Sequence, residues 1–429
     1  MNEEAKICVD NLNHPDKAMR LENLKKLQQM ISEGRIEKIR PCGAVNNHIH
    51  TNYSFSPYSP TKAVWMAYQS GLITAGIMDH DSLSGAKEFL SAGKILGIAT
   101  TIGVECRVDF SNTLLAGRRI NNPDQKSIAY VALHGIPHTQ IDKVITFFKP
   151  YTEKRNERNR KMIEKINAIF AQYDVTLDFE KDVVPLSMAH DGGSITERHL
   201  LFALSMKLID KHGKGQALVS LLMDDLGLNL SEKVKAYLLD EQNEHYAYDL
   251  LGALKSDLVG QFYIEADAEC PDVSKLIDLS KQIGAIAAYA YLGDVGTSVT
   301  GDKKSQKFED DYLDLLFEIL KGQQFNAVTY MPSRNTKEQL ERLRGLCKQH
   351  GLFEISGEDI NSPRQSFVCE AMKDPMFANL IDATWALIGH EREATKDITG
   401  GMFTVQTISR IPSLKERIEI YKRASNDAM

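Results

Sequence analysis

Two histidines separated by one residue, His48 and His50, are the side chains in this chain best suited to hold a metal ion. They follow the apolar residues Ala44 and Val45, a pattern typical of a β-strand. Because side chains two apart on a strand lie on the same face, the two imidazoles would point to one place. A pair of this kind is more often structural than functional, so other parts of the chain must supply further ligands if a metal site is to form.

Seven short apolar runs predict the strands that would carry such ligands. Each run ends in polar residues, and most of the intervening stretches have helical periodicity. The runs cover residues 44–49, 72–78, 98–104, 127–133, 284–288, 326–330 and 352–356. Strands that alternate with helices and end in polar side chains predict a parallel α/β barrel, with its active face at the C-terminal ends of the strands.

The hydrophobic pattern changes between the fourth and fifth runs and predicts a helical insertion. Residues 155–170 place their apolar side chains on one helical stripe, and further helical patterns follow. An insertion on a barrel face is a usual place for lids and substrate-selecting modules. We predict an N-terminal helical segment at 1–42, a first barrel part at 43–150, the insertion at 151–260, and a second barrel part with a C-terminal helical segment at 261–429.

Composition excludes several classes of protein. A formal charge of -7 gives no basic surface for a nucleic-acid backbone, so we expect nucleic acid only as a short oligonucleotide substrate. The six cysteines form no C-x-x-C pair and are typical of reduced intracellular thiols. The first residues lack a signal-peptide pattern, and no apolar run reaches membrane-spanning length. We therefore expect a cytoplasmic protein without membrane contact, and the pattern leaves the oligomeric state open.

Five motifs in chain order resemble the PHP (polymerase and histidinol phosphatase) family of metal-dependent phosphoesterases. They are His48-Ile-His50-Thr51, Asp79-His80-Asp81, Gly103-Val-Glu105, Leu133-His134-Gly135 and Gly357-Glu-Asp359. The resemblance implies a distorted seven-stranded TIM-like α/β barrel that hydrolyses phosphate esters. Within the insertion, Arg155-Asn-Glu-Arg158 and Arg198-His199 resemble the YciV-like members, which carry a helical insertion and hydrolyse nucleotide or oligonucleotide phosphates.

The resemblance implies up to three metal sites, of which the first keeps all its ligands in this sequence. These ligands would be His48, His50, Glu105 and Asp359. Mixed nitrogen and oxygen ligation suits Zn, Mn or Fe better than Ca or Mg. We therefore expect a divalent metal cofactor of that kind.

The other two implied sites lose ligands. The second would add His134 to a shared carboxylate, but this chain has Tyr289 where the family has its remaining histidine. The third keeps only His80, because Phe55 and Asn361 replace its other ligands. A phenylalanine cannot ligate a metal, and an amide or neutral phenol is a weak ligand. We expect one or two ions and no third.

Other polar residues would then serve catalysis or substrate binding. Asp79 or His80, if not used as a ligand, would act as general acid or base. A cationic side chain beside a phosphoryl group stabilises the charge of its transition state. The predicted substrate contacts are Arg198, His199, Arg334, Tyr289 and Asn361.

The leading functional prediction is a hydrolase that acts on a nucleotide or a small phosphorylated metabolite by a metal-activated water. One alternative is a catalytically lapsed PHP-like protein that binds or regulates, as the replacements Phe55, Tyr289 and Asn361 would suggest. Another is a mononuclear metal hydrolase of a different bond, such as an amide. Metal content measured together with turnover separates these three.

Overall fold

The computed structural model describes residues 2–295 and 306–425 and contains one curled seven-stranded sheet. The strands lie side by side in chain order and confirm all seven predicted runs. They are β1 (Val45–Ile49), β2 (Thr74–His80), β3 (Ala99–Asp109), β4 (Ile128–His134), β5 (Ile286–Ala290), β6 (Ala327–Tyr330) and β7 (Phe353–Ser356). The sheet nearly closes, because Ile360 forms backbone hydrogen bonds with His48 and His50 at 3.1 and 2.9 Å. The predicted barrel is confirmed.

Strand β4 runs opposite to its neighbours, which corrects the expectation of a wholly parallel barrel. The strands β1 to β3 are parallel, as are β5 to β7, whereas β4 pairs antiparallel with both β3 and β5. The C-terminal end of β4 therefore lies at the barrel end opposite to the C-terminal ends of the other six strands. A buried strand has the same apolar pattern in either direction, so the sequence could not show this.

Among the described residues, ten helices lie around and below the barrel. They are α1 (Glu3–Asp10), α2 (Lys17–Ser32), α3 (Pro60–Gln69), α4 (Ala86–Leu96), α10 (Val273–Ile283), α11 (Leu313–Gly322), α12 (Lys337–His350), α13 (Ala378–Lys396), α14 (Val405–Arg410) and α15 (Leu414–Ala424). Helix α13 covers the end of the barrel where β3 begins. There the buried carboxylate of Glu391 accepts hydrogen bonds from the Thr101 hydroxyl and the Ile102 amide at 2.6 and 2.8 Å.

Five further helices form the insertion. They are α5 (Ile141–Phe170), α6 (Glu197–His212), α7 (Gln216–Ser220), α8 (Glu232–Leu239) and α9 (Tyr246–Phe262). The insertion has its own buried apolar cluster, which includes Met162, Leu204 and Leu250. The predicted limits of the insertion stay a prediction, and residue 151 falls inside the continuous helix α5. Among the described residues, no helix combines the length and apolar character needed to span a membrane.

Candidate metal centre

Five side chains with metal-binding atoms converge at the open end of the barrel around His50. The Nε2 atoms of His48 and His50 lie 3.2 Å apart. The His50 Nε2 lies 3.1 Å from Asp359 Oδ1, and the Glu105 Oε2 lies 3.8 Å from His48 Nε2 and 3.2 Å from His80 Nδ1. The four predicted first-site residues therefore meet, and His80 joins them. We call these five residues the His50 cluster.

The closure of the barrel brings Asp359 beside His50. The residues on either side of Asp359 are both bonded to β1. The side chain of Asn46 donates to the Glu358 carbonyl and accepts from the Glu358 amide, and Ile360 pairs with the backbone of the strand. Gly357 allows this approach, because a Cβ there would lie 2.6 Å from the His48 Cβ. The chain after β7 can reach the two histidines only with glycine at this position.

A hydrogen-bonded chain of three side chains orients the His50 ring. The hydroxyl of Ser54 lies 3.3 Å from His50 Nδ1 and donates to Asp79 at 2.6 Å. Asp79 also accepts from the amide and hydroxyl of Thr51 at 2.7 and 2.6 Å. This arrangement favours a proton on Nδ1, so Nε2 is the His50 nitrogen that would bind a metal ion, after it releases the proton that it shares with Asp359.

Asp79 itself is fully buried, with both carboxylate oxygens engaged in these bonds. Burial raises the pKa of this carboxyl, although the bonds from Ser54 and Thr51 oppose the rise. The predicted catalytic role of Asp79 as a general acid or base stays a prediction; in the structure this carboxylate holds the loop that follows β1 and, through Ser54, the ring of His50.

Burial and mutual charge set the protonation of the cluster. Burial lowers the pKa of His48 to about 4, and the nearby His50 adds to the effect. Burial raises the pKa of Glu105 to about 8. Burial alone would lower the pKa of His50, but its hydrogen bond to Asp359 outweighs this and raises it. The same bond holds the pKa of Asp359 well below its usual range, against the effect of burial.

The donor set fits a divalent metal ion. Two imidazole nitrogens 3.2 Å apart match the spacing of neighbouring ligands about 2 Å from a shared ion. The ligand atoms of His48, His50 and Asp359 form one compact group, and those of His50, His80 and Glu105 form a second. Neutral imidazoles and carboxylates in such groups suit Zn, Mn or Fe.

Three other predicted site residues lie outside the His50 cluster or contact it from its edge. His134 is opposite Gly103 on β3, two residues before Glu105, because β4 is antiparallel, and its Nε2 has no hydrogen-bond partner among the described residues. Tyr289 is fully buried and bonds Glu309 at 3.1 Å, so the expected substrate contact is corrected. Asn361 donates to Asp359 Oδ1 at 2.6 Å and holds that carboxylate rather than a substrate.

His199 also departs from its predicted role as a phosphate contact. Its Nδ1 accepts the backbone amide of Thr196 at 3.0 Å and so caps the start of α6. Its ring packs edge-on against Phe55, with 5.0 Å between the ring centroids. Phe55, which replaces an expected metal ligand, belongs to the apolar cluster of the insertion. Burial lowers the pKa of His199 to about 3, so the ring is neutral.

The two predicted arginines remain near the cluster. Arg198, at the start of α6, lines a cleft together with His80 and Tyr130, and no hydrogen bond or ion pair of its guanidinium occurs among the described residues. Burial lowers the pKa of Arg198, while the charge of Asp359 opposes this. Arg334 uses its Nε to bond the Leu292 carbonyl at 3.1 Å; burial lowers its pKa, while the charges of Glu309 and Asp359 oppose this. The charge of Asp359 therefore acts on the pKa of both arginines.

A buried ion network that joins the insertion to the barrel was missed in the sequence. It contains three arginines and three carboxylates, so its formal charges cancel. Its members are Arg107, Arg155, Arg158, Asp81, Glu197 and Glu269. One available signal was Arg107, which stands two residues after Glu105 and so shares its face of β3.

Comparison with known proteins now identifies the family. The sequence pattern of the PHP domain matches residues 46–325. The chain belongs to the PHP domain family. Membership of this family, together with the cluster of histidines and carboxylates, supports a metal-dependent hydrolase. The narrower resemblance to YciV-like members stays a prediction.

Two solved structures resemble this PHP protein. A proposed metal-dependent phosphoesterase from Bifidobacterium adolescentis is 16% identical, with a TM-score of 0.51, and the match covers 78% of this chain and 96% of that one. An amidohydrolase from Chromobacterium violaceum, solved with sulfate and no metal, is 16% identical, with a TM-score of 0.49 and coverage of 76% and 90%. No curated protein matches the chain significantly. At 16% identity, the similarity to the Bifidobacterium structure supports the fold alone.

Proposed function

We propose that this protein hydrolyses phosphate esters of small molecules at the His50 cluster. The observation that carries the proposal is the cleft that Arg198 shares with His80 of the cluster, while the charge of Asp359 acts on the pKa of both Arg198 and Arg334. A phosphoryl group is anionic and spreads charge over its oxygens in the transition state, so it needs cations around a metal centre. Neutral substrates such as amides have no such need.

The ion network beside the cleft separates the paired arginines from those that could meet an anionic substrate. Arg107, Arg155 and Arg158 face three carboxylates and contribute no net charge to the cleft. Arg198 has no such partner among the described residues, and Arg334 bonds only a backbone carbonyl. Arg198 and Arg334 are therefore available to an anionic substrate.

The cluster residues divide the remaining work between holding a metal and orienting its ligands. His48, His50, Glu105 and Asp359 would hold the ion, and His80 would serve either as a further ligand or as a proton carrier. A bound divalent ion lowers the pKa of its water toward neutrality and withdraws charge from a phosphoryl oxygen. The chain around Ser54 fixes the His50 ring for this purpose.

The cluster favours one ion per chain. The two groups of ligand atoms share His50, and the nitrogen of this ring that faces the other cluster residues is Nε2, since its Nδ1 contacts Ser54 Oγ at 3.3 Å. That nitrogen has one lone pair and can bind one ion at a time, so both groups cannot be filled through it. Elemental analysis of protein purified without chelators is expected to give about one equivalent of Zn, Mn or Fe.

Turnover of p-nitrophenyl phosphate, bis-p-nitrophenyl phosphate and nucleotides by protein reloaded with Zn, Mn or Fe tests the function. We expect activity that depends on metal and is lost in His48→Ala. Arg198→Ala and Arg334→Ala should each reduce kcat/KM by about tenfold to a hundredfold, the usual effect of losing one charge-assisted contact. Arg160→Ala is the matched control, because Arg160 is also on the insertion but pairs with Glu180 at an exposed position.

Other outcomes would contradict the proposal in distinct ways. Bound metal with no turnover of any ester would favour the lapsed binding protein. Metal-dependent amide hydrolysis without phosphate release would favour the alternative hydrolase. Equal losses in the Arg160 variant and in the Arg198 and Arg334 variants would show that the arginines act through stability.

A further inference from the structure

Tyr130 lies at the same end of the barrel as the His50 cluster, because β4 is antiparallel and begins at that end. It stands opposite Arg107 in the register of β3 and β4, two residues beyond the pair formed by Glu105 and Ala132. Its ring centroid is 5.8 Å from that of His80, and it lines the same cleft as His80 and Arg198. None of the five sequence motifs contains Tyr130.

The structure fixes Tyr130 from both ends. Asn121 bonds its backbone twice, since its Oδ1 accepts the Tyr130 amide at 2.7 Å and its Nδ2 donates to the Tyr130 carbonyl at 2.8 Å. At the other end, Arg107 Nε donates to the phenolic oxygen at 3.2 Å. Arg107 is itself held by Glu197 at 2.6 Å. The ring has little freedom to move away from the cleft.

The direction of these bonds leaves the hydroxyl proton of Tyr130 without a partner. A guanidinium can only donate, so the phenolic oxygen is the acceptor in its bond with Arg107. Across residues 2–295 and 306–425, no acceptor for the Tyr130 O–H is present. A half-buried donor with no acceptor is costly unless a ligand or water completes it.

We propose that the Tyr130 hydroxyl donates a hydrogen bond to a phosphoryl oxygen of the substrate, between His80 and Arg198. The inference rests on the proposed function for the nature of the substrate. It assigns the protein a neutral donor in the cleft that Arg198 lines. Such a donor suits a phosphate monoester, whose terminal oxygens carry more lone pairs than one ion and two guanidiniums can fill.

Tyr263 offers a matched control for a test in the intact protein. It lies in the same cleft and also contacts Arg107, but its hydroxyl can donate to Gln125 Oε1 at 3.5 Å. Tyrosine to phenylalanine removes only the hydroxyl, so Tyr130→Phe and Tyr263→Phe keep the ring packing. Circular dichroism and elemental analysis should show the same fold and metal content in both variants.

The probe is inorganic phosphate, measured by titration calorimetry on metal-loaded protein. We expect Tyr130→Phe to raise the Kd for phosphate by about tenfold or more, because a hydrogen bond to a charged acceptor is lost. Tyr263→Phe should stay within about twofold of the natural protein. The same pattern is expected in kcat/KM for p-nitrophenyl phosphate.

Three results would overturn the proposal: a Tyr130→Phe Kd within about twofold of the natural protein, equal losses in both variants, or no phosphate binding by the natural protein. Failure of the proposed function gives a different result. In that case the natural protein binds phosphate in a Tyr130-dependent way but hydrolyses no ester. The hydroxyl would then contact an anion in a protein that is not a phosphoesterase.

Discussion

Metal binding should release a proton from Glu105, and its affinity should therefore fall as the pH is lowered through about 8. Burial raises the pKa of this carboxyl to about 8 in the metal-free protein. The protonated form thus dominates at pH 7, whereas a metal ion requires the carboxylate. Binding displaces that proton, so the contribution of Glu105 to affinity is complete well above pH 8 and is lost below it.

The size of the effect follows from this pKa. At pH 7 the protonated form of Glu105 exceeds the carboxylate by about tenfold, and at pH 9 the ratio is reversed. The apparent Kd for the metal should therefore be about tenfold higher at pH 7 than at pH 9, or roughly 1.4 kcal/mol in binding free energy. His50 acts in the same direction, because its pKa is also raised and its proton must leave Nε2.

Calorimetric titration of metal-free protein with Zn²⁺ or Mn²⁺ in buffers of different ionisation enthalpy measures both affinity and released protons. Glu105→Gln keeps the shape of the side chain and removes the titration, so the difference between the two proteins isolates Glu105. We expect about one proton fewer at pH 7 in the variant. Identical proton release from both proteins, or an affinity independent of pH between 7 and 9, would refute the assigned protonation of the buried cluster.

Three further predictions concern the structure around the cluster. Ser54→Ala should raise the Kd for metal by about tenfold by freeing the His50 ring, with the melting temperature of the metal-free protein as control. Gly357→Ala should lower metal content, because the new Cβ would meet the His48 Cβ and backbone at 2.6 and 2.9 Å; unchanged metal content would refute the close approach. Phe55→Ala should lower the free energy of unfolding in urea by about 3–5 kcal/mol, because a buried ring of the insertion core is removed, and a loss under 1 kcal/mol would contradict that packing.

The fold was largely predictable from the sequence because six of the seven strands share one direction. Apolar runs that end in polar residues report strand positions well, and all seven were found where predicted. Strand direction depends on which neighbours a strand pairs with, and this information lies far away in the chain. Because β4 is reversed, His134 lies opposite Gly103 rather than at the C-terminal strand ends, and Tyr130 lies opposite Arg107, which the sequence did not indicate.

The candidate site was predictable where ligands stand in recognisable motifs. His48, His50, Glu105 and Asp359 meet as expected. His199 was misassigned, because adjacent residues on a helix face different directions and only Arg198 turns to the cleft. The ion network between the insertion and the barrel joins residues up to 162 positions apart, and no local pattern indicates such pairs.

The substitutions that suggested a lapsed enzyme have separate structural explanations. Phe55 packs in the insertion core, Tyr289 bonds Glu309 within the buried core, and Asn361 holds the carboxylate of Asp359. Phe55 and Tyr289 leave the donor atoms of the His50 cluster untouched, and Asn361 bonds Asp359 Oδ1, an oxygen that keeps a second lone pair for an ion. Loss of ligands elsewhere leaves the geometry of the first site intact, since that geometry depends on barrel closure at Ile360 and on the bonds of Ser54. The substitutions therefore argue for fewer ions rather than for a lost centre.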